Sequence, residues 1–169
     1  MGAPRLQIEP LRAEHLLELA VQLRHPEVYE HIGGTPSLED FILDRERALR
    51  GPSAAARKEH WLNYLVRERA SGRMLGRLEA TVHDSIAEVA FLFSPSNWGK
   101  GFAHEALAWM HNEIQQSYRI SCFWATTVPE NTRCQALLLR SGYTQVQTGA
   151  PVLYSYAPGD LVFHLRGAA

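Results

Sequence analysis

The sequence predicts an α/β (α+β) fold, a mixed and mostly antiparallel sheet that carries helices, and three observations predict it. Three β-rich runs within residues 60–93 are separated only by short polar turns, as the strands of antiparallel hairpins are. An apolar run, a glycine turn and a helical period follow one another over residues 87–114, and a further β-rich run comes after them. A strand joined to the next through a helix pairs with it in parallel, so these segments form one βαβ unit.

Leu6 to Leu11 alternates apolar and polar residues as a half-buried first strand does, with Pro10 suited to a strand end or edge. Leu16, Leu17, Leu19, Ala20 and Leu23 then recur at helical spacing until His25-Pro26 stops the run. Tyr29 to Gly34 reads as a loop, and Ser37 as the capping residue of a second helix over residues 38–50. Gly51 to Lys58 has turn residues and no apolar period, so it is a loop inside the domain.

The β-rich runs His60 to Arg67, Met74 to His83 and 86–93 follow, reversing at Ser71-Gly72 and Asp84-Ser85 into an antiparallel meander. Ala103, Ala106, Leu107, Met110 and Ile114 give the next helix an apolar face to lay on the sheet. Ile120 to Val128 reads as a strand, and Asn131 to Gly142 as a short helix with an asparagine cap. Leu153 to Tyr156 and Leu161 to Leu165 read as a closing antiparallel pair around Pro158-Gly159-Asp160.

At 169 residues, 46% of them hydrophobic, the chain suits one domain, residues 1–169, with one sizeable core. Seventeen basic residues against 18 acidic ones, with no basic run, speak against nucleic acid and membrane surfaces as partners. Two cysteines and an N-terminus without an apolar signal core point to a reducing cytoplasm. No metal is expected. His104-Glu105 opens an H-E-x-x-H pattern, but Ala108 stands where the second histidine belongs, leaving His104 and His111 as solvated helix-face residues.

The stretch with most chemistry is Ser94-Pro-Ser-Asn-Trp-Gly-Lys-Gly-Phe-Ala-His-Glu-Ala-Leu107. Gly99 and Gly101 let the backbone turn so that successive N–H groups converge before a helix N-terminus, beside the charge of Lys100, and such a spot attracts phosphate. It is neither a Walker A loop, since Gly101 follows Lys100, nor G-x-G-x-x-G, since no third glycine follows. It resembles the acetyl-CoA loop of the GNAT acetyltransferase superfamily, Q/R-x-x-G-x-G/A, in the W-G-K-G-[YF]-A-x-E-A form of the Rim-type, ribosomal-protein N-terminal acetyltransferase-like branch. Trp98 holds the place of the usual Gln or Arg. Asn131, Cys134, Leu137, Arg140, Gly142 and Tyr143 likewise resemble the second GNAT signature, N-x-x-[SA]-x-x-L-x-x-K-x-G-[FY].

The resemblance covers about residues 5 to 166 and implies a GNAT fold, with helices on both faces of the sheet and the fourth and fifth strands splayed to hold acetyl-CoA as cosubstrate. The pantetheine arm would then pair like an added strand with Phe91, Leu92 and Phe93, and the pyrophosphate would lie on Trp98, Gly99, Lys100, Gly101, Phe102, Ala103 and His104. Asn131 and Cys134 would line the arm from the opposite side, and Tyr29, His31 and Phe41 would contact the acceptor, or else serve as packing and loop residues.

The implied activity joins a primary amine, from a protein N-terminus or a small molecule, to the acetyl thioester, in a monomer or homodimer. Glu88 is the candidate general base by the same resemblance. Strand alternation places it with Ile86, Ala90 and Leu92, so burial is expected to raise its pKa. The alternative is a structural carboxylate paired with a basic residue on the neighbouring strand, such as Arg77. Leu138 replaces a tyrosine that serves many relatives as the acid, and Cys134 replaces a serine; a non-catalytic CoA-binding sensor or structural module is therefore the second reading.

Overall fold

The computed structural model describes residues 5–55 and 58–167. Met1 to Pro4, Ala56, Arg57 and the last two residues lie outside it, and with them part of the Gly51–Lys58 loop and of the N-terminal segment. The strands are β1 Leu6–Pro10, β2 His60–Glu68, β3 Met74–His83, β4 Ile86–Phe93, β5 Cys122–Thr127, β6 Thr144–Val146 and β7 Leu161–Arg166. They form one sheet in the order β1-β2-β3-β4-β5-β7-β6, antiparallel except for β4 beside β5.

The meander forms for the local reasons its sequence carries. Asp84 and Ser85 take positive φ (45° and 63°), the left-handed pair that a two-residue hairpin turn needs to match strand twist. That turn sets the β3–β4 register, His83 opposite Ile86 and Thr81 opposite Glu88. One face of β4 then carries Ala87, Val89 and Phe93 into the main core.

Helices cover both faces. The helices α1 Leu16–Leu23, α2 Pro26–Tyr29 and α3 Leu38–Arg50 precede β2; α4 Phe102–Tyr118 joins β4 to β5; α5 Thr132–Arg140 follows β5. Ala106, Leu107, Met110 and Ile114 of α4 are fully buried on the face of Ala87 and Val89, each larger side chain contributing about 1.5–3 kcal/mol. On the other face Leu16, Leu19, Ala20 and Leu23 of α1 and Phe41 of α3 enclose Leu65, with Leu92 against them. The Ser37 side chain accepts from the Asp40 amide at 3.0 Å and fixes the start of α3. Pro26, which ends α1, opens the single turn of α2.

Two expectations change. The closing pair is β6 with β7, Thr144 opposite His164 and Val146 opposite Val162, while Leu153–Tyr156 is no strand. Its amides cannot join a ladder because those of Tyr154 and Ser155 are taken by the Glu88 carboxylate. His111 is not solvated either. It lies 2.7 Å from the buried Tyr143 hydroxyl, and burial pushes its pKa down to about 4.

Candidate active site

Two cavities are lined by consecutive stretches of β4. Strand β4 pairs with β5 through two residue pairs alone, Ala87 with Phe123 and Glu88 with Trp124, and beyond them the strands part. The gap opens into a first cavity of about 150 Å³, lined by Phe91, Leu92, Phe93, Trp98, Gly99, Gly101, Phe102, Ala103, His104, Asn131 and Cys134. Lys100 alone of the expected cofactor residues does not line it. The α2 side adds Glu27, Val28 and His31, and α5 adds Arg133, Leu137 and Arg140.

The loop before α4 has the form an anion site requires. Gly99 and Gly101 take φ of +74° and +80°, which a side chain resists. Among the described residues, the amides of Gly101 to His104 donate to no backbone carbonyl; the first helical bond of α4 is Glu105 N–H to Gly101 O, 3.1 Å. Those donors, at the positive end of a 17-residue helix, face the first cavity and fit a pyrophosphate. Trp98 is held by its indole N–H on Phe93 O at 2.9 Å, with the Arg133 guanidinium 3.7 Å from its ring centroid.

Arg5 ties this loop to β1. It donates to Glu105 at 2.8 Å and to Lys100 O at 3.0 Å, and a Cβ on Gly101 would come within 3.3 Å of its guanidinium. We expect Gly101→Val to abolish acetyl-CoA binding while the protein stays folded, since a β-branched residue at this φ costs about 1–3 kcal/mol and displaces the amides. Isothermal titration of the variant checks this; unaltered affinity would reduce the loop to a helix start.

Across the gap, Asn131 caps α5, accepting from the Cys134 amide at 3.1 Å. Burial raises the Cys134 thiol above its ordinary range, against a weaker opposing hydrogen bond with Thr127, so the group stays neutral.

The second cavity, about 320 Å³, opens on the face of β2, β3 and β4 that α3 leaves uncovered. Asn63, Glu79, Thr81, Glu88 and Ala90 are on its floor, Arg45 and Ala48 on the α3 side, and Trp61, Tyr154 and Ser155 at its edge. Arg45 binds Glu79 at 2.8 Å, and Arg77 binds the same carboxylate. The expected Arg77–Glu88 pair therefore does not form. In this register Arg77 stands opposite Leu92, four residue pairs from Glu88.

Glu88 is 5% exposed and fully engaged. Its Oε1 accepts from the Ser155 amide at 2.9 Å and the Ser155 hydroxyl at 2.7 Å, and its Oε2 accepts from the Tyr154 amide at 2.9 Å and His83 Nε2 at 2.5 Å. His83 in turn lies 3.0 Å from Asp84 and stacks on Tyr154, 4.0 Å between centroids. Burial pushes the Glu88 pKa up, as expected, but these donors outweigh it and hold the carboxyl below its ordinary value. Burial pushes the His83 pKa down, but the hydrogen bonds and charges of the two carboxylates beside it prevail and hold it above its ordinary value.

The remaining acceptor-side expectations divide. His31 lines the first cavity, while Tyr29 is half-buried against the α1–α3 core and Phe41 lies within that core. Sequence reasoning missed His83, Tyr154, Ser155, Arg5 and Arg133. His83 was within reach, because the Asp84-Ser85 turn puts it and Glu88 on one face of the hairpin.

The fold has counterparts among known proteins. The fold is similar to that of a GNAT-family acetyltransferase from Bacillus anthracis (17% identity, TM-score 0.76, 98% of this chain and 96% of that one). It is also similar to an aminoglycoside acetyltransferase in complex with coenzyme A (15%, 0.73, 96% and 94%). A spermidine N-acetyltransferase from Vibrio cholerae, in complex with CoA and spermine, is a third (13%, 0.70, 95% and 94%). No curated protein matches the chain in sequence. Residues 5–144 match the family model described as the acetyltransferase (GNAT) domain, and the chain therefore belongs to the GNAT acetyltransferases, enzymes that draw their acetyl group from acetyl-CoA.

Proposed function

We propose that the protein transfers the acetyl group of acetyl-CoA to a primary amine, on a protein N-terminus or a small molecule, by direct attack in a ternary complex. The observation that carries this reading is that two cavities are lined by adjoining residues of β4, Val89 and Ala90 at one and Phe91 to Phe93 at the other. Bound acetyl-CoA supplies the thioester that the amine attacks. The Gly101–His104 amides bind its phosphates, and the edge of β4 left open by β5 orients its arm and offers a backbone N–H to the oxyanion. Cys134, half-buried with its thiol pKa raised, lines the cleft rather than forming an acyl-enzyme.

The W-G-K-G-F-A-H-E-A loop supports a place in the Rim-type branch, whose acceptors are protein N-termini. Small amines are the second acceptor class, and enzymes named for aminoglycosides and spermidine share this fold. Acetyl-CoA should raise the melting temperature while ATP and NAD do not, because a ligand of the native state stabilises by mass action. Equal shifts from all three would sink the cosubstrate assignment. CoA thiol release with N-terminal peptides, polyamines and aminoglycosides then identifies the acceptor; a shift without release would favour a CoA-binding module.

A further inference from the structure

Glu88 faces the second cavity, yet it has no room for an amine. A carboxylate offers about four lone-pair sites, and His83, Tyr154 and the two donors of Ser155 fill four. The group bonded to Glu88 that lines the cavity beside it and has bonding capacity left is the Ser155 hydroxyl. Its proton is committed to Glu88 Oε1 at 2.7 Å, so its lone pairs point elsewhere. Thr126 Oγ1, 3.0 Å from Ser155 Oγ and 3.1 Å from Ser155 O, has one proton to divide between them. At least one lone pair of Ser155 Oγ is thus left for the cavity its residue lines.

Resting on the amine-transfer reading above, we infer that Ser155 is the catalytic residue through which Glu88 receives the acceptor's proton. As the amine nitrogen bonds to the thioester carbon, its N–H proton passes to Ser155 Oγ while the Ser155 proton passes to Glu88 Oε1, and the C–S bond then breaks with its electron pair leaving on the CoA sulfur as thiolate. The hydroxyl is regenerated, Glu88 becomes neutral, and the proton returns to water as product leaves. The charged and titratable groups around this path are His83 and Asp84 at the β3 turn, Tyr154 with its partner Glu59, and Arg45 and Glu79 across the cavity. His83 is a positioning residue: it fixes Oε2 and leaves Oε1 to Ser155.

The test compares Ser155→Ala and Ser155→Thr in the whole protein, with n-butylamine at high concentration as acceptor and CoA release followed across pH. Both variants keep the backbone N–H that binds Glu88, so both should fold and retain the acetyl-CoA affinity of the parent, with Ser155→Ala melting a few degrees lower for the hydroxyl bond it removes. Ser155→Ala should lose about 10²-fold in rate near neutral pH, and the deficit should narrow in alkali, where the amine is deprotonated unaided. Ser155→Thr, with its hydroxyl, should stay within a few-fold. An alanine variant as fast as the parent near neutral pH would overturn the assignment, and so would equal losses in both variants at every pH. A parent protein that binds acetyl-CoA but releases no CoA with the amine would instead refute the amine-transfer reading, and the assignment with it.

Discussion

Replacing Glu88 by glutamine should cost both rate and stability while leaving acetyl-CoA bound. An amide cannot accept four hydrogen bonds. Its NH₂ can satisfy His83 if the imidazole turns neutral and offers a lone pair, but Tyr154 N–H then loses its acceptor, and an unsatisfied buried donor costs about 1–3 kcal/mol. Without a proton acceptor behind Ser155 the rate should fall about 10²- to 10⁴-fold near neutral pH and recover partly in alkali. Rate–pH profiles and thermal melts of the variant check both effects. Full activity near neutral pH would remove Glu88 from the proton path.

The same substitution should flatten the acid limb of stability. The folded pKa of Glu88 is depressed, so its contribution is fully present above the unfolded value of 4.5 and is lost as pH falls through the folded one. His83 is raised, so its contribution is present below 6.5 and is lost as pH rises through its folded pKa. Both are fully present between 4.5 and 6.5, and there the variant should compare worst with its parent.

Gly76→Ala should be the most damaging single methyl group. Gly76 lies opposite Phe93, where a Cβ would fall 2.2 Å from Leu92 O and 2.8 Å from Phe93 Cα. Both are backbone atoms, so no rotamer change relieves the clash and β3 must move away from β4. The expected cost is about 3 kcal/mol, a fall in melting temperature of roughly 6–12 °C for a chain of this size. Because Leu92 and Phe93 line the first cavity, acetyl-CoA affinity should fall too. Melting and titration measure the two losses, and an unchanged melting temperature would show that the strands part freely here.

What the sequence made legible was local. The meander, the Ser37-capped helix and the Asn131-capped helix each rest on residues within a few positions of one another, and each forms as expected. The glycine turn before α4 was legible because its glycines and the helix they open are contiguous. The segment Leu153–Tyr156 was not, because the bonds that fix it come from Glu88, some 66 positions away. Three-residue β6 exists only because the edge of β7 is there to receive it. The direction of the Glu88 shift was missed for the same reason: alternation reveals burial, but not the donors that a distant loop brings to it.

The narrow β4–β5 pairing gives the molecule a mechanical character. Strands β1 to β4 form one jaw and β5, β7 and β6 the other, and within the sheet two residue pairs act as the hinge. Glu88 is itself one of the hinge residues, and its carboxylate is a clasp across the same seam, gripping a loop that belongs to the second jaw. Whatever widens the seam therefore loads that clasp. The wall of the second cavity is thereby tied to the width of the strand gap beside the first.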